Sequence, residues 1–490
     1  MPQHVRKLAR NKALAATAIC AATVLGVAGL TAGGASAADR GVEPANPTAD
    51  YNNDGYADLA VGVPGATVGG KAKAGYVNVV WGGKSGLGKH GSTTVSQSTA
   101  GVPGTAEAGD GFGTAVDSND MNGDGYSDLI VGAPDEDTDA GLSAGTVAVV
   151  WGAANGFKGG FTAANGQISD GSYGAVLASG DFDDDGDQDI ALNSHFDESS
   201  SIVMRPGPFT AGSPSDVSRV EGWHFAGPRT MAAGDFDDDG KDDLAFSYAG
   251  MEVSGTSVMS REAGSGEWKT TWSTGDSTDT ALAAGDFDGD NTTDLAIGNV
   301  RPNPESETTY CEERLGGAIA TVYGKKGTTL GGPSSCTTQS GPQVGGDPEA
   351  EDNFGAHLAS LDSDQDGREE LIAGADSEAV GTAKNAGSYW FLTSTGAGTT
   401  LAGPAFSQNT AGVAGTAEAG DRLGAAVTAG DYNGDGLPDF AVGAPGEDAK
   451  SGGVWYAATP TDGPSPAVTS VTPGKLGLAG ASGYGAVLSR

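Results

Sequence analysis

The sequence predicts an all-β fold: a seven-bladed β-propeller of four-stranded blades, its ring closed by the C-terminal strand. Three observations carry this. A nine-residue acidic stretch recurs seven times, each copy sits in the same succession of short apolar runs, and the end of the chain repeats a run that the first copy lacks. Internal repeats at intervals of tens of residues mark stacked or circular architectures, and here the copies begin 51 to 76 residues apart.

The runs around each copy can be read in order. Before the acidic stretch come short segments of small residues, such as "FGTAVDSND", "YGAVLASGD" and "LGAAVTAGD", suited to a crowded inner strand. Directly after it come β-branched runs such as "LIVGAP" and "FAVGAP", and further on a third set, such as "AGTVAVVWG" and "SGGVWYAA". Their β-branched and aromatic content with glycine punctuation reads as strands, and no segment sustains a helical period. The first copy starts too near the N-terminus to have a normal preceding strand, whereas the chain ends in "YGAVLSR" (484–490). In a closed ring the C-terminus supplies the missing strand and leaves no edge unpaired.

The nine-residue pattern is Asp-x-Asp/Asn-x-Asp-Gly-x-x-Asp/Glu. Its candidate metal ligands are Asp50, Asn52, Asp54 and Asp58; Asp120, Asn122, Asp124 and Asp128; Asp181, Asp183, Asp185 and Asp189; Asp235, Asp237, Asp239 and Asp243; Asp286, Asp288, Asp290 and Asp294; Asp362, Asp364, Asp366 and Glu370; and Asp431, Asn433, Asp435 and Asp439. Oxygen donors at positions one, three, five and nine around a turn glycine suit calcium, which takes six to eight hard oxygen ligands in flexible geometry. The carbonyl at position seven is expected to add another, which frees the residue type there. An EF-hand would need an acid at position twelve and flanking helices; that position is Val61, Val131, Leu192, Phe246, Ile297, Ala373 and Val442. Acidic turns without metal would bring three or four carboxylates together, with repulsion of about 4 kcal/mol per pair at 4 Å and an effective dielectric of 20. Up to seven structural Ca2+ ions are therefore expected. The copies "DFDGDNTTD", with Asn291 for the glycine, and "DSDQDGREE", ending in Glu370, depart most from the pattern.

Composition narrows the function classes. The formal net charge is −38, which disfavours nucleic acid, since phosphate contacts need Lys and Arg. With 37% hydrophobic residues the chain is not a disordered acidic polymer. A basic start with Arg6, Lys7, Arg10 and Lys12, an apolar run and the ending Ala35-Ser36-Ala37 read as a secretory signal covering residues 1–37. Residues 38–490 are then a single propeller domain, expected to be secreted, monomeric and without a membrane span. Cys311 and Cys336 flank a strand-like run; one disulfide is expected in an oxidising compartment, with separate buried thiols as the alternative.

Phe-Gly before the loop, the acidic loop itself and Gly-Ala-Pro after it resemble the FG-GAP repeat of integrin α-subunit propellers. Repeats 2 ("FGTAV…DMNGDGYSDLIVGAP") and 7 ("LGAAV…DYNGDGLPDFAVGAP") match best, repeat 6 keeps "FGAHL" but has "AGAD", and repeats 3, 4 and 5 keep the loop but lose most of the flanks. The resemblance implies a seven-bladed propeller with structural calcium between first and second strands. It also implies an extracellular ligand-recognition or adhesion role, with a protein or glycan partner. The leg domains and membrane span of integrin α-subunits are missing from this sequence.

An exported hydrolase or lyase acting on polysaccharide or ester from a propeller face is the alternative. "GLSAG" (141–145) matches Gly-x-Ser-x-Gly, but Ser143 precedes a strand-like run, whereas a nucleophile elbow lies between a strand and a helix. "DESSS" (197–201) and "GKS" (83–85) read as polar loops. His90, His195, His224 and His357 form no spaced zinc motif, which disfavours a zinc phospholipase, a class in which such propellers sit beside a catalytic domain. Acid pairs for glycoside chemistry cannot be singled out among so many carboxylates. No catalytic residue is therefore assigned. Trp81, Trp151, Tyr323, Trp390 and Trp455 recur with the repeat and are expected to pack between blades rather than stack on sugar. The insertion 301–317 is the longest second-to-third-strand connection and the first choice for a specificity loop.

Overall fold

A computed structural model describes residues 49–489, apart from 197, 211–216, 225, 251–253, 263–264, 276–280, 299–310, 312–314, 332, 342, 395–400, 460–467 and 479–481. The signal segment and most of the insertion 301–317 lie outside the described residues.

Seven four-stranded antiparallel sheets follow one another along the chain as blades of a ring. Blade 2 shows the order: an inner strand Ala115–Asn119, then Asp128–Ala133, Thr146–Ala153 and the outer Gly156–Asn165. Blade 1 takes its inner strand from the other end of the molecule. Val487–Leu488 pairs with Leu59–Val63 through Val61↔Leu488 and Gly62↔Val487. Tyr484 then donates its hydroxyl proton to Asn78 Oδ1 at 2.8 Å on the third strand of that blade. The C-terminal closure is present as expected.

The apolar residues form seven clusters, each spanning two neighbouring blades and one belonging to every junction of the ring, including that between blades 7 and 1. Second strands therefore have neighbours on both faces and are buried throughout, as in Leu59–Val63, Asp128–Ala133, Glu370–Ala375 and Asp439–Ala444. This explains their continuous rather than alternating apolar character. Trp390 and Trp455 are fully buried in two of these junctions, each donating its indole N–H to a backbone carbonyl of the preceding blade-to-blade connection, Gly345 at 2.8 Å and Ala414 at 2.7 Å. The inner strands converge on an axial cavity of about 370 Å³ lined from all seven blades. Cys311 and Cys336 are bonded, with Cα atoms 5.5 Å apart.

Blade junctions are tightest where glycine meets glycine. An added Cβ on Gly62, Gly132, Gly298, Gly374 or Gly443, in second strands or just beyond, would lie 1.8–2.2 Å from the carbonyl oxygen of Gly113, Gly174, Gly355, Gly424 or Gly485 in the next blade. The latter five all have φ between +80° and +94°, a region other residues enter only with strain. The glycine of "FG" and the glycine before "AP" are thus two halves of one blade-to-blade contact.

Candidate metal loops

Six of the acidic stretches join the first and second strands of a blade, and that of blade 1, whose first strand comes from the C-terminal end, leads directly into its second strand Leu59–Val63. Since the strands alternate in direction, these loops share one face of the ring with the third-to-fourth connections. The blade-to-blade and second-to-third connections occupy the opposite face.

Each loop is wound by its own carboxylates. The position-one Asp accepts the N–H of positions five and six with its two oxygens; for Asp120 these are Asp124 at 3.1 Å and Gly125 at 2.8 Å. The same pair recurs at Asp50, Asp181, Asp235, Asp286, Asp362 and Asp431. Asn291, with φ +62°, keeps the bond in place of glycine, as the tolerance of Asn for left-handed backbone allows. Position five accepts from the N–H of position seven, as in Tyr126 to Asp124 at 3.2 Å.

Position nine has a further task that the pattern does not announce. Asp128 is fully buried, accepting from Met121 N at 3.1 Å with one oxygen and from Gly152 N, in the third strand, at 2.8 Å with the other. Asp58, Asp189 and Asp294 repeat the arrangement with Gly82, Gly207 and Gly324. The ninth carboxylate ties its loop to the far side of the blade. Burial is the first cause that raises its pKa, to about 8 for Asp58, Asp243 and Asp294 and about 7 for Asp128, Asp189, Glu370 and Asp439, against the pull of these N–H donors.

Carboxylate oxygens converge to within 4.8 Å of one another at Asp181, Asp183 and Asp189; Asp235, Asp237 and Asp239; Asp286, Asp288 and Asp290; and Asp362, Asp364 and Glu370. These clusters could hold metal ions. Positions one, three and nine meet in blades 3 and 6, and positions one, three and five in blades 4 and 5. In blades 1, 2 and 7 the third position is Asn52, Asn122 or Asn433, and the last two donate their amides to the ninth carboxylate, at 2.9 and 3.1 Å. The test of fit lies at position three. Oδ1 of Asn52, Asp183, Asp237 and Asp288 is buried without any hydrogen-bond partner, and an unsatisfied buried oxygen costs about 1–3 kcal/mol. Four loops thus present the same orphaned acceptor, which a hard cation would satisfy.

Other motifs resolve as loops or packing. Ser143 has φ +46° in an exposed turn and donates its N–H to Asp137, with no helix following. Of "DESSS", Asp197 lies outside the described residues and Ser199–Ser201 begin the strand Ser199–Arg205 rather than a loop. The repeated "GTAEAGD" at 104–110 and 415–421 marks a second acidic constellation, on the opposite face, that the nine-residue pattern does not contain.

A closed ring of seven four-stranded blades, each with an acidic loop leading into its second strand, defines the class: a loop-decorated β-propeller. The FG-GAP repeat profile matches residues 45–80, 112–150 and 423–456, so three blades of this seven-bladed β-propeller, 1, 2 and 7, carry FG-GAP repeats. It is 30% identical over 239 residues to the phosphatidylinositol-glycan-specific phospholipase D of Bos taurus, covering 46% of this chain and 27% of that protein. Against the Rattus norvegicus protein of the same name it is 28% identical over 234 residues, 45% of this chain and 26% of the relative. The match thus spans about a quarter of those relatives. A candidate 6-phosphogluconolactonase from Bacteroides uniformis aligns at TM-score 0.44 with 9% identity, over 88% of this chain and 98% of that one. Among the described residues no helix is long and apolar enough to cross a membrane.

Proposed function

We propose that the chain is a secreted ligand-recognition module whose fold is held by calcium in the seven acidic loops. The observation that carries the metal is the orphaned third-position oxygen, buried and partnerless in blades 1, 3, 4 and 5. Positions one, three, five and nine would hold the ion, with the seventh carbonyl completing the set. The ion would neutralise carboxylates that otherwise repel, and its role is structural. Recognition is assigned to the opposite face, which carries the blade-to-blade connections. There, a pocket of about 750 Å³ opens between blades 3 and 4, with Asn193, His195, Ser200 and Arg229 in its wall. Its polar donors suit an extracellular protein or glycan.

Two measurements test this. Chelation is expected to lower the melting temperature by many degrees, because a ligand held only by the folded state at 100 times its Kd stabilises by about 2.7 kcal/mol per site. A melt unchanged by chelator rejects the metal. Glycan-array and cell-surface binding, with and without calcium, should show a ligand whose retention falls with Arg229→Ala. The hydrolase reading draws on the likeness to a phospholipase D; turnover on phosphatidylinositol-glycan or polysaccharide panels without stable binding would favour it.

A further inference from the structure

Three blade junctions carry a recurring quartet: Gln97, Glu107, Asp110 and Glu136; Gln339, Glu349, Asp352 and Glu378; Gln408, Glu418, Asp421 and Glu447. The offsets between successive members are ten, three and twenty-six residues in every copy. The glutamine follows the outer strand of one blade. The Glu and Asp lie on the connection to the next, and the last Glu follows that blade's second strand. All are therefore on the face opposite the nine-residue loops.

The frame is the same each time. The glutamine amide donates to the last Glu, at 2.6, 2.9 and 2.6 Å, and the N–H of the first Glu donates to the Asp, at 2.5, 2.6 and 2.6 Å. Gln97, Gln339 and Gln408 are 6%, 2% and 3% exposed, and Oε1 of all three is without a partner. The junction of blades 5 and 6 goes furthest. There carboxylate oxygens of Glu349, Asp352 and Glu378 lie within 4.8 Å of one another. A Cβ added at Gly316 would be 2.6 Å from Gln339 Oε1, 3.3 Å from the Glu349 carbonyl oxygen and 3.4 Å from Asp352 Oδ2. The orphaned amide oxygen thus faces the same small space as the acids, and glycine leaves that space open. Among the described residues no lysine, arginine or histidine forms an ion pair with the three carboxylates.

We infer that Gln339, Glu349, Asp352 and Glu378 form a divalent-cation site, for calcium by its all-oxygen donors, which joins blades 5 and 6 on the face opposite the acidic loops. Three carboxylates, an amide oxygen and a main-chain carbonyl are the donor types that this ion takes. The site draws ligands from two blades, so its ion links blades, whereas each nine-residue loop closes on itself. It stands independently of any ligand for the propeller.

Crystals of the full chain soaked in terbium chloride test the placement without a variant. An anomalous peak is expected about 2.3–2.6 Å from Gln339 Oε1 and from oxygens of Asp352 and Glu378, the range for calcium-type sites. A map with no peak there overturns the site, whatever the loops contain. In solution, wild type and Glu349→Gln/Asp352→Asn are equilibrated with calcium, freed of excess and analysed for metal. The variant should hold one ion fewer per chain with an unchanged far-ultraviolet circular dichroism spectrum. Equal counts would also reject the inference.

Discussion

Blades 7 and 3 fold into the same four strands around the same acidic loop, yet they grip the next blade differently. Gly443 in blade 7 lies so close to the Gly485 carbonyl that an added Cβ would be 1.8 Å from its oxygen. The equivalent residue of blade 3 is Asn193, which uses its side chain at home, accepting from Val176 N at 2.9 Å and donating to the Ser172 carbonyl at 2.8 Å. In blade 4 the residue is Ser247. The pocket of about 750 Å³ lies where blade 3 meets blade 4 and includes Asn193 in its wall. The FG-GAP signature is therefore a rule about blades touching, and the acidic loop is a separate rule about each blade's own turn. Blades 3 and 4 keep the second and drop the first, and the repeat profile matches blades 1, 2 and 7, which keep both.

The largest predicted effect strikes this difference directly. Gly443→Val forces a branched side chain against fixed backbone at the junction that closes the ring. It should cost about 3 kcal/mol or more, the upper end of overpacking. Asn193→Ala removes two hydrogen bonds facing a pocket and should cost about 1–2 kcal/mol. Chemical denaturation of the two variants, with calcium present, checks the order. Equal losses would show that the glycine contact is incidental.

The ring, the strand order, the C-terminal closure and the position of every loop were legible because they repeat. Seven copies let spacing substitute for an alignment, and "YGAVLSR" announced its own place. The buried brace at position nine was not legible, because a ligand and a strap are the same carboxylate in sequence and only the N–H of Gly152 or Gly324 tells them apart. The glutamine quartets were hidden for the opposite reason. Their members span thirty-nine residues and meet only when two blades are assembled. The pocket between blades 3 and 4 lies where the glycine contact is missing, with Asn193 in its wall, and no motif records an absent contact.

A smaller effect, spread around the whole ring, concerns pH. The ninth carboxylates have folded-state pKa values of about 7 or 8, raised first by burial, against about 3.9–4.3 in an unfolded chain. Between these limits the folded, metal-free protein binds more protons than the unfolded one. Its stability must then fall as pH rises from about 4 to 8. Calcium competes with those protons and should reverse the trend. Melting curves from pH 5 to 8, with chelator and with calcium, are expected to slope in opposite directions; parallel slopes would separate the buried acids from metal binding. Blades 3 to 6, with a fourth acid at position three, should respond more steeply than blades 1, 2 and 7 with Asn. Replacing Asn122 by Asp ought to steepen the chelator curve.

The smallest effect isolates how one four-acid loop is tolerated without metal. In blade 3 Arg261 Nη1 lies 2.7 Å from Asp183 Oδ2, both groups being partly exposed, while Asp183 Oδ1 remains orphaned. Among the described residues the blade 1 loop of Asp50, Asn52, Asp54 and Asp58 has no such basic partner. The chain thus supplies blade 3 with an internal counter-ion that blade 1, with one acid fewer, lacks. Exposed pairs contribute about 0–1 kcal/mol, so Arg261→Ala should lower stability by less than about 1 kcal/mol in chelator. With calcium bound, the ion already balances Asp183, and the same change should leave the melt within error. Identical losses in the two conditions would mean that the guanidinium acts by packing rather than as the counter-ion of the blade 3 loop.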